Sequence, residues 1–383
     1  MQRTHALPGE FAPLSIGNID VEVPVILAPM AGITNAPFRT LCRQFGAGLY
    51  VSEMLGARPI AIGDQHTLEL AEFGADETVR SIQIYATDAE SAALATKRLV
   101  TEGAVDHIDM NFGCPAPKVT RHGGGAALPF KTTLYGEIVS QTVKAAGDVP
   151  VTVKFRKGID SDHITFLDAG RIAEDAGVAA VALHARTAEQ LYSGEATWEA
   201  IAQLKDTVTT IPVLGNGDIW EGYDAVRMMR ETGCDGVVVG RGCLGRPWLF
   251  RELADVFAGR TPQPAPNMAR VAEIMVEHAA LLVDRFGEHR GIRSFRKHSS
   301  WYLKGFVAGK NIRRDLHLVE SVDAVRALLD KIDLDQAFPA DAGRMGRGHM
   351  HGPKKVKLPA GYLDSREVFA PLPAEAAAAV SGG

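Results

Sequence analysis

Between residues 25 and 258 the chain alternates between two textures. Short runs rich in β-branched residues read as buried strands: Val25–Ala28, Leu49–Val51, Ser81–Tyr85, His107–Asn111, Val151–Phe155, Ala180–His184, Val213–Asn216 and Gly236–Val239. The longer segments between them carry apolar residues at helical spacing, as in Asp88–Glu102 (with Asp88 placed to cap it), Leu134–Ala146 and Ile164–Ala176. Only the stretch between the second and third strands lacks a clear pattern. Gly46, Gly103, Gly147, Gly177 and Gly233 stand where left-handed C-terminal caps are expected. Strand–helix units in this number and length match the ~250 residues typical of a (β/α)8 barrel. An open, doubly wound sheet shares the alternation. The strand ends separate the two. They run, in order, into Pro29-Met30, Glu53, Gln83, Asn111, Lys154, His184, Asn216 and Gly240-Arg241. An open sheet gathers its ligand groups at one switch point. Polar or specialised residues at every strand end suit a closed TIM barrel, whose chemistry lies on that face.

Residues 1–24 read as a lead-in to the barrel, and after residue 258 the pattern changes. Residues 259–267, with Thr261-Pro262-Gln263-Pro264-Ala265-Pro266, form a stiff linker. Residues 268–338 are helical in period throughout, in Val271–Phe286, Phe295–Phe306 and Val319–Ile332, and predict a small all-α domain. Residues 339–383 are a low-complexity tail rich in Gly, Pro, Lys and Ala. Its end, Glu375–Gly383, offers too little apolar surface to offset its ordering entropy.

Composition narrows the class. Of 383 residues, 46% are apolar and 23% charged, which excludes wholesale disorder, a rod and a collagen-like chain. The net charge of −5 means that a nucleic-acid partner has to meet a local basic patch. Cys42, Cys114, Cys234 and Cys243 form no C-x-x-C pair, so neither a zinc ribbon nor a disulfide scaffold is expected. His349 and His351 have no further ligands nearby, and no metal site is expected. No secretory leader and no run of ~20 apolar residues is found, which predicts a cytoplasmic protein. No obligate protein partner is evident.

Two glycine-rich turns follow the seventh and eighth strands. Gly240-Arg241-Gly242-Cys243-Leu244-Gly245 has the spacing of a dinucleotide fingerprint, but the acidic residue expected ~20 positions on is missing. With Gly215-Asn216-Gly217-Asp218 it reads better as a barrel phosphate cradle; tight turns that bind nothing are the bland alternative. Asn111-Phe112-Gly113-Cys114-Pro115 holds Cys114 on a loop at the catalytic face, whereas Cys42, Cys234 and Cys243 read as packing residues. Lys154 ends a buried strand, a costly position unless an anion or polarisable ring meets it. His184 and Arg186 follow the sixth strand.

Taken together, Leu27-Ala28-Pro29-Met30-Ala31-Gly32-Ile33-Thr34, Gln83-Ile84-Tyr85, the Cys114 loop, Gly123-Gly124-Gly125-Ala126-Ala127-Leu128, Val153-Lys154, His184-Ala185-Arg186-Thr187 and Gly215-Asn216-Gly217-Asp218-Ile219 resemble the signature set of bacterial tRNA-dihydrouridine synthases, in that family's order and over residues 20–335. The resemblance implies an FMN-binding barrel followed by a helical tRNA-binding domain. Pro29, Met30 and Ala31 would line the isoalloxazine, Gln83 and Lys154 would bond its polar edge, and His184 would stand beside it. Asn216, Gly217, Asp218, Gly240 and Arg241 would hold the phosphate. NADPH would reduce the flavin, hydride would pass to C6 of a uracil, and Cys114 would protonate C5. Asn111, His184 and Arg186 would read the base.

The residues support an RNA partner independently. From His289 to Arg314 there are eight Lys or Arg and no Asp or Glu. Arg290, Arg293, Arg296, Lys297, Lys304, Arg313 and Arg314 are the expected backbone contacts, with a turn at Gly309-Lys310-Asn311, and Trp301 and Tyr302 are either stacking surfaces or core. A solvated helix face is the alternative for the basic run. For the whole chain, the alternatives are a flavin barrel resembling dihydroorotate dehydrogenases, an RNA-binding protein with a dead barrel and, least favoured, a metal enzyme.

Overall fold

Each expected strand forms, and the set closes into a parallel barrel in which Gly236–Val239 pairs with Val25–Leu27, Val237 standing opposite Val25. The structure is a computed structural model and describes residues 3–46, 48–103, 105–348 and 352–367. Closure follows from strands apolar on both faces. Val25, Leu27, Val181, Leu183, Val237 and Val239 point outward into the core beneath the helices. Their alternates Ile26, Ala28, Ala180, Ala182 and Val238 point inward.

The inward apolar residues meet an element that the sequence pattern did not reveal. Within the lead-in, Leu14–Ile16 and Ile19–Val21 form an antiparallel hairpin, and Leu14, Ile16, Ile19 and Val21 plug the barrel floor. Strands three to five are polar inside instead, at Ser81, Gln83, His107, Asp109, Thr152 and Lys154, and this half of the interior leads to the mouth.

Several local expectations are corrected. The second strand runs past Val51 to Gly56 with a register shift between Val51 and Met54. The unpatterned stretch after it holds two short helices, Ala57–Ile62 and Gln65–Ala71. Asp88 does cap its helix, accepting from the Ser91 N–H. Gly233 is a left-handed cap (φ 68°, ψ 9°). Gly46 is extended (φ −172°) and serves another purpose: a Cβ there would lie 2.3 Å from the Phe250 carbonyl oxygen. Gly103 likewise is not left-handed, and a Cβ would crowd the Leu99 carbonyl at 2.9 Å.

Beyond the barrel, helices Met268–Phe286, Glu288–Tyr302, Lys310–Leu316 and Val322–Leu329 share an apolar core joined by Trp248 of the barrel. The expected turn at Gly309-Lys310-Asn311 reduces to Gly309, because the third helix begins at Lys310. The last expected helix, Val319–Ile332, shortens to Val322–Leu329, capped by Ser321. This bundle abuts the barrel closely. Phe38 stacks near His278 and His298, and any side chain at Gly245 would strike the Trp301 backbone.

The tail departs most from expectation. Residues 352–367 lie along the barrel, where Val356, Leu358, Tyr362 and Leu363 build a satellite core with Ala127, Phe130 and Ile159. A Gly- and Lys-rich composition hid four well-spaced apolar residues that suffice to seat it. Glu375–Gly383, His349 and His351 lie outside the described residues. Among the described residues no helix is long and apolar enough to cross a membrane.

Candidate active site

The barrel's C-terminal face opens into a cavity of about 790 Å³, within the range of small-molecule sites. Of the residues singled out in sequence, Pro29, Met30, Ala31, Gln83, Asn111, Cys114, Lys154, His184, Asn216, Gly217, Asp218, Gly240 and Arg241 line it.

A buried polar chain supports this lining from below. Gln83 Nε2 donates to Asp109 Oδ2 (2.6 Å), and Thr152 Oγ1 donates to Asp109 Oδ1 (2.6 Å). Because the Thr152 hydrogen is thus committed, its oxygen accepts from His107 Nε2 (2.9 Å), leaving His107 Nδ1 to accept from Ser81 (2.7 Å). Burial holds His107 neutral, pushing its pKa down to about 3, and pushes Asp109 up to about 6 against its two hydrogen bonds and the charge of Lys154. Sequence reasoning missed Ser81, His107, Asp109 and Thr152. Their signal is polar residues at every second position of otherwise apolar strands.

The chain continues upward to the cysteine. Asn111 Nδ2 donates to Gln83 Oε1 (2.8 Å), while Asn111 Oδ1 accepts from the N–H groups of Gly113 (3.1 Å) and Cys114 (2.9 Å). Asn111, expected to read a ligand, therefore also shapes the Cys114 loop. From the other side Arg156 grips the loop, donating to the carbonyls of Gly113 (2.9 Å), Thr187 (2.9 Å) and Leu191 (2.8 Å). The glycine run supports it from behind: a Cβ at Gly125 (φ 56°) would lie 2.5 Å from the Cys114 carbonyl oxygen. Burial pushes the Cys114 thiol up, opposed by a backbone N–H and by the charges of Arg156 and Lys118. Cys42, Cys234 and Cys243 are buried packing residues, as expected.

Lys154 Nζ donates to Asn216 Oδ1 (3.0 Å), and Asn216 Nδ2 in turn donates to the Val238 carbonyl (2.6 Å). Burial, then the charge of Arg156, push Lys154 down to about 8, while Asp109 pulls it back up. His184 is held neutral by burial and by Arg156, Lys154, Arg186 and Arg241.

Arg186 stands elsewhere than expected. It does not line the cavity; its buried guanidinium donates to the Asp218 carboxylate (2.7 and 2.9 Å) and to the carbonyls of Ser193 and Gly194. It therefore fixes the turn after the seventh strand. Asp218, a non-glycine residue at φ 57°, also accepts from the Ala196 N–H. Arg241, also in the lining, lies 4.4 Å from the Tyr192 ring and 3.6 Å from Asp218. Among the cationic groups of the lining, Lys154 lies inside and Arg241 beside the glycine turns, with a thiol acid facing the same space.

The helical bundle reaches the mouth through Lys297 and Trp301, both lining the cavity, whereas Tyr302 is core. Lys297 Nζ donates to the Gly32 carbonyl and faces Glu53. The expected basic face divides. Arg290 and Arg293 are exposed, Lys304 is half-buried, and Arg314 pairs with Asp315. Arg296 is committed to the carbonyls of Val319 and Leu318, and Arg313 to those of Leu303 and Phe306.

Known proteins share this chain's pattern. The profile of the family described as dihydrouridine synthase (Dus) matches residues 26–340. The probable tRNA-dihydrouridine synthase of Mycobacterium tuberculosis (strain H37Rv) is 54% identical over 359 residues, covering 91% of this chain and 92% of its own. That of Mycobacterium leprae is 51% identical over 379 residues, with coverages of 91% and 98%. The tRNA-dihydrouridine synthase B of Xanthomonas campestris is 40% identical over 315 residues, with coverages of 82% and 94%. Among solved structures, histamine dehydrogenase from Rhizobium sp. 4-9 aligns with a TM-score of 0.51 at 12% identity, over 85% of this chain and 65% of that one, a likeness of fold alone.

Proposed function

The chain belongs to the dihydrouridine synthase family, and from that membership we propose that it reduces uridines in tRNA to 5,6-dihydrouridine, with FMN as cofactor, NADPH as reductant and Cys114 as proton donor. The observation that carries this reading is the convergence of a protonated thiol and a buried ammonium, Cys114 and Lys154, on one cavity. A tRNA substrate puts the reaction in the cytoplasm.

The lining fits a flavin mononucleotide. Lys154 and Arg241 suit a ligand that carries both an electron-poor ring and a phosphate. Gly217 (φ 139°) admits no side chain, because a Cβ would lie 2.5 Å from that of Ala196, and Arg186 Nη1 is a buried, unpartnered donor close to Gly217. Pro29, Met30 and Ala31 would pack on the ring, Gln83 and Lys154 would bond its edge, and Gly217, Gly240 and Arg241 would take the phosphate, with Asn216 holding Lys154 and Asp218 holding the turn. Bound there, FMN reduced by NADPH would supply the hydride for C6.

Cys114 supplies the other hydrogen, to C5. A thiol pushed up by burial keeps its proton at neutral pH, as an acid needs and a nucleophile does not. The thiolate left behind is stabilised by Arg156, whose charge already favours it. Lys154, cationic below about pH 8, stabilises negative charge beside it. Asn111, with one N–H left, and neutral His184 are the groups available to the base. The target uridine leaves its stack at a cost of a few kcal/mol, and Trp301 at the mouth offers a new stacking surface. Arg290, Arg293 and Lys304 of the bundle meet the RNA backbone.

The test is incubation of FMN-loaded protein with NADPH and tRNA lacking dihydrouridine, read by NADPH consumption and by a two-hydrogen mass gain in the tRNA. A colourless protein that refuses added FMN, or NADPH oxidation that leaves tRNA unchanged while a free pyrimidine is reduced, would sink the reading.

A further inference from the structure

The cavity has one wall that neither the barrel nor the helical bundle supplies. Gly348 and Lys354 to Lys357 of the tail line it together with Cys114 and Lys154. The matching family profile ends at residue 340, so this wall lies beyond what defines the family. We propose that Lys354, Lys355 and Lys357 form a binding site for phosphates of the RNA strand next to the uridine being reduced. The proposal rests on the activity proposed above.

The segment is held at both ends. On the near side Arg347 is buried and donates to the Ala342 carbonyl (2.7 Å). Next, the Lys354 N–H donates to the Glu189 carbonyl (2.9 Å) on the loop after the sixth strand. On the far side Val356 joins the satellite core, and the Tyr362 hydroxyl is shared between the carbonyls of Gly123 (3.0 Å) and Ala127 (3.1 Å). That second anchor is the glycine run that backs the Cys114 loop. The tail is thus fastened to the same two loops that shape the site.

What it presents there is uncompensated charge. All three lysines are exposed, and among the described residues none of their ammonium groups makes an ion pair or hydrogen bond. Arg296 and Arg313, by contrast, are committed within the fold. Asp218, the carboxylate that lines the cavity, is taken up by Arg186 and faces Arg241. In a chain of net charge −5 the mouth is therefore locally positive, and it attracts a polyanion. Exposed lysines act as adaptable point charges, suited to phosphates that position a strand without being read. Their place fits RNA better than the flavin phosphate, which Arg241 would take. The strand carrying an extruded base has to cross this rim, between the tail lysines and Trp301.

The experiment uses the full-length, FMN-loaded protein with Lys354→Ala/Lys355→Ala/Lys357→Ala, and the triple Lys→Arg variant as a charge-preserving control. Tail anchoring by Val356 and Tyr362 stays intact in both. Binding of tRNA is measured at several salt concentrations, and KM is measured separately for tRNA and NADPH. The alanine variant should lose ~10-fold or more in tRNA affinity and flatten the slope of log affinity against log salt by ~2. Its KM for NADPH and its flavin content should stay within twofold of wild type, and the arginine variant should recover tRNA affinity. A raised KM for NADPH with unchanged tRNA affinity would assign the lysines to the dinucleotide and overturn the proposal. So would wild-type values for both ligands. Failure of the wild-type protein to reduce tRNA would refute the activity itself, and is distinguished because the lysine result is a ratio of binding constants.

Discussion

Lys154→Met should make the flavin-free protein more stable near neutral pH while weakening its hold on FMN. The ammonium lies in a poorly solvated place, and the drop from the ordinary lysine value of 10.5 to about 8 measures the cost. At ~1.4 kcal/mol for each tenfold change in proton affinity, keeping the charge at pH 7 costs at most ~3 kcal/mol. This is an upper limit, because Lys154 also faces the cavity and its water. Against it stands the loss of the 3.0 Å bond to Asn216, worth ~1 kcal/mol. A net gain of ~1–2 kcal/mol for the variant remains at pH 7. The two contributions differ in pH dependence. From pH 8 to 10.5 the unfolded chain keeps a proton that folded wild type has released, so wild-type stability rises across that window and the variant's does not rise with it. The gap should therefore narrow by ~1 kcal/mol between pH 7 and 9. Urea unfolding of both flavin-free proteins at the two pH values, followed by tryptophan fluorescence, reads the gap directly. A gap that stays constant would mean that Lys154 is solvated and that its charge is not the quantity the site controls.

Cys114→Ala should cut single-turnover dihydrouridine formation by ~10²–10⁴-fold and leave flavin absorbance and tRNA affinity unchanged; wild-type turnover would show that the proton comes from elsewhere. Asp109→Asn removes the carboxylate that raises Lys154's proton affinity, so the alkaline loss of FMN affinity should begin at lower pH than in wild type, and an unmoved pH profile would contradict the coupling. Within the basic helices, Arg296→Ala and Arg313→Ala should each cost ~1–3 kcal/mol of stability through carbonyls left unpaired. Arg290→Ala and Arg293→Ala should leave the melting temperature alone and lower the salt slope of tRNA binding by ~0.7–0.9 each. Equal behaviour of the two pairs would remove the distinction.

The barrel is legible in the order of residues alone. Strands buried on both faces must be β-branched runs, and catalytic groups at their C-terminal ends interrupt those runs at recognisable places, as at Gln83, Lys154 and Asn216. Cys114 was legible because glycine and proline beside it preclude a helix. Roles that depend on a distant partner emerge only when the chain is folded. Asp109 sits mid-strand like any core residue until Gln83 and Thr152 arrive from neighbouring strands to bond it. Arg186 and Asp218 are 32 residues apart, and only folding joins them in one ion pair. Arg296 and Arg313 look like Arg293 in composition and spacing, and differ only because helix ends elsewhere present carbonyls to them. The tail follows the same rule: its few apolar residues become a core only against Phe130 and Ile159, more than 190 residues earlier in the chain. Local periodicity records which face of an element is buried. It holds no record of what that face, or a long charged side chain, will meet, because that contact exists only once separate elements are packed together.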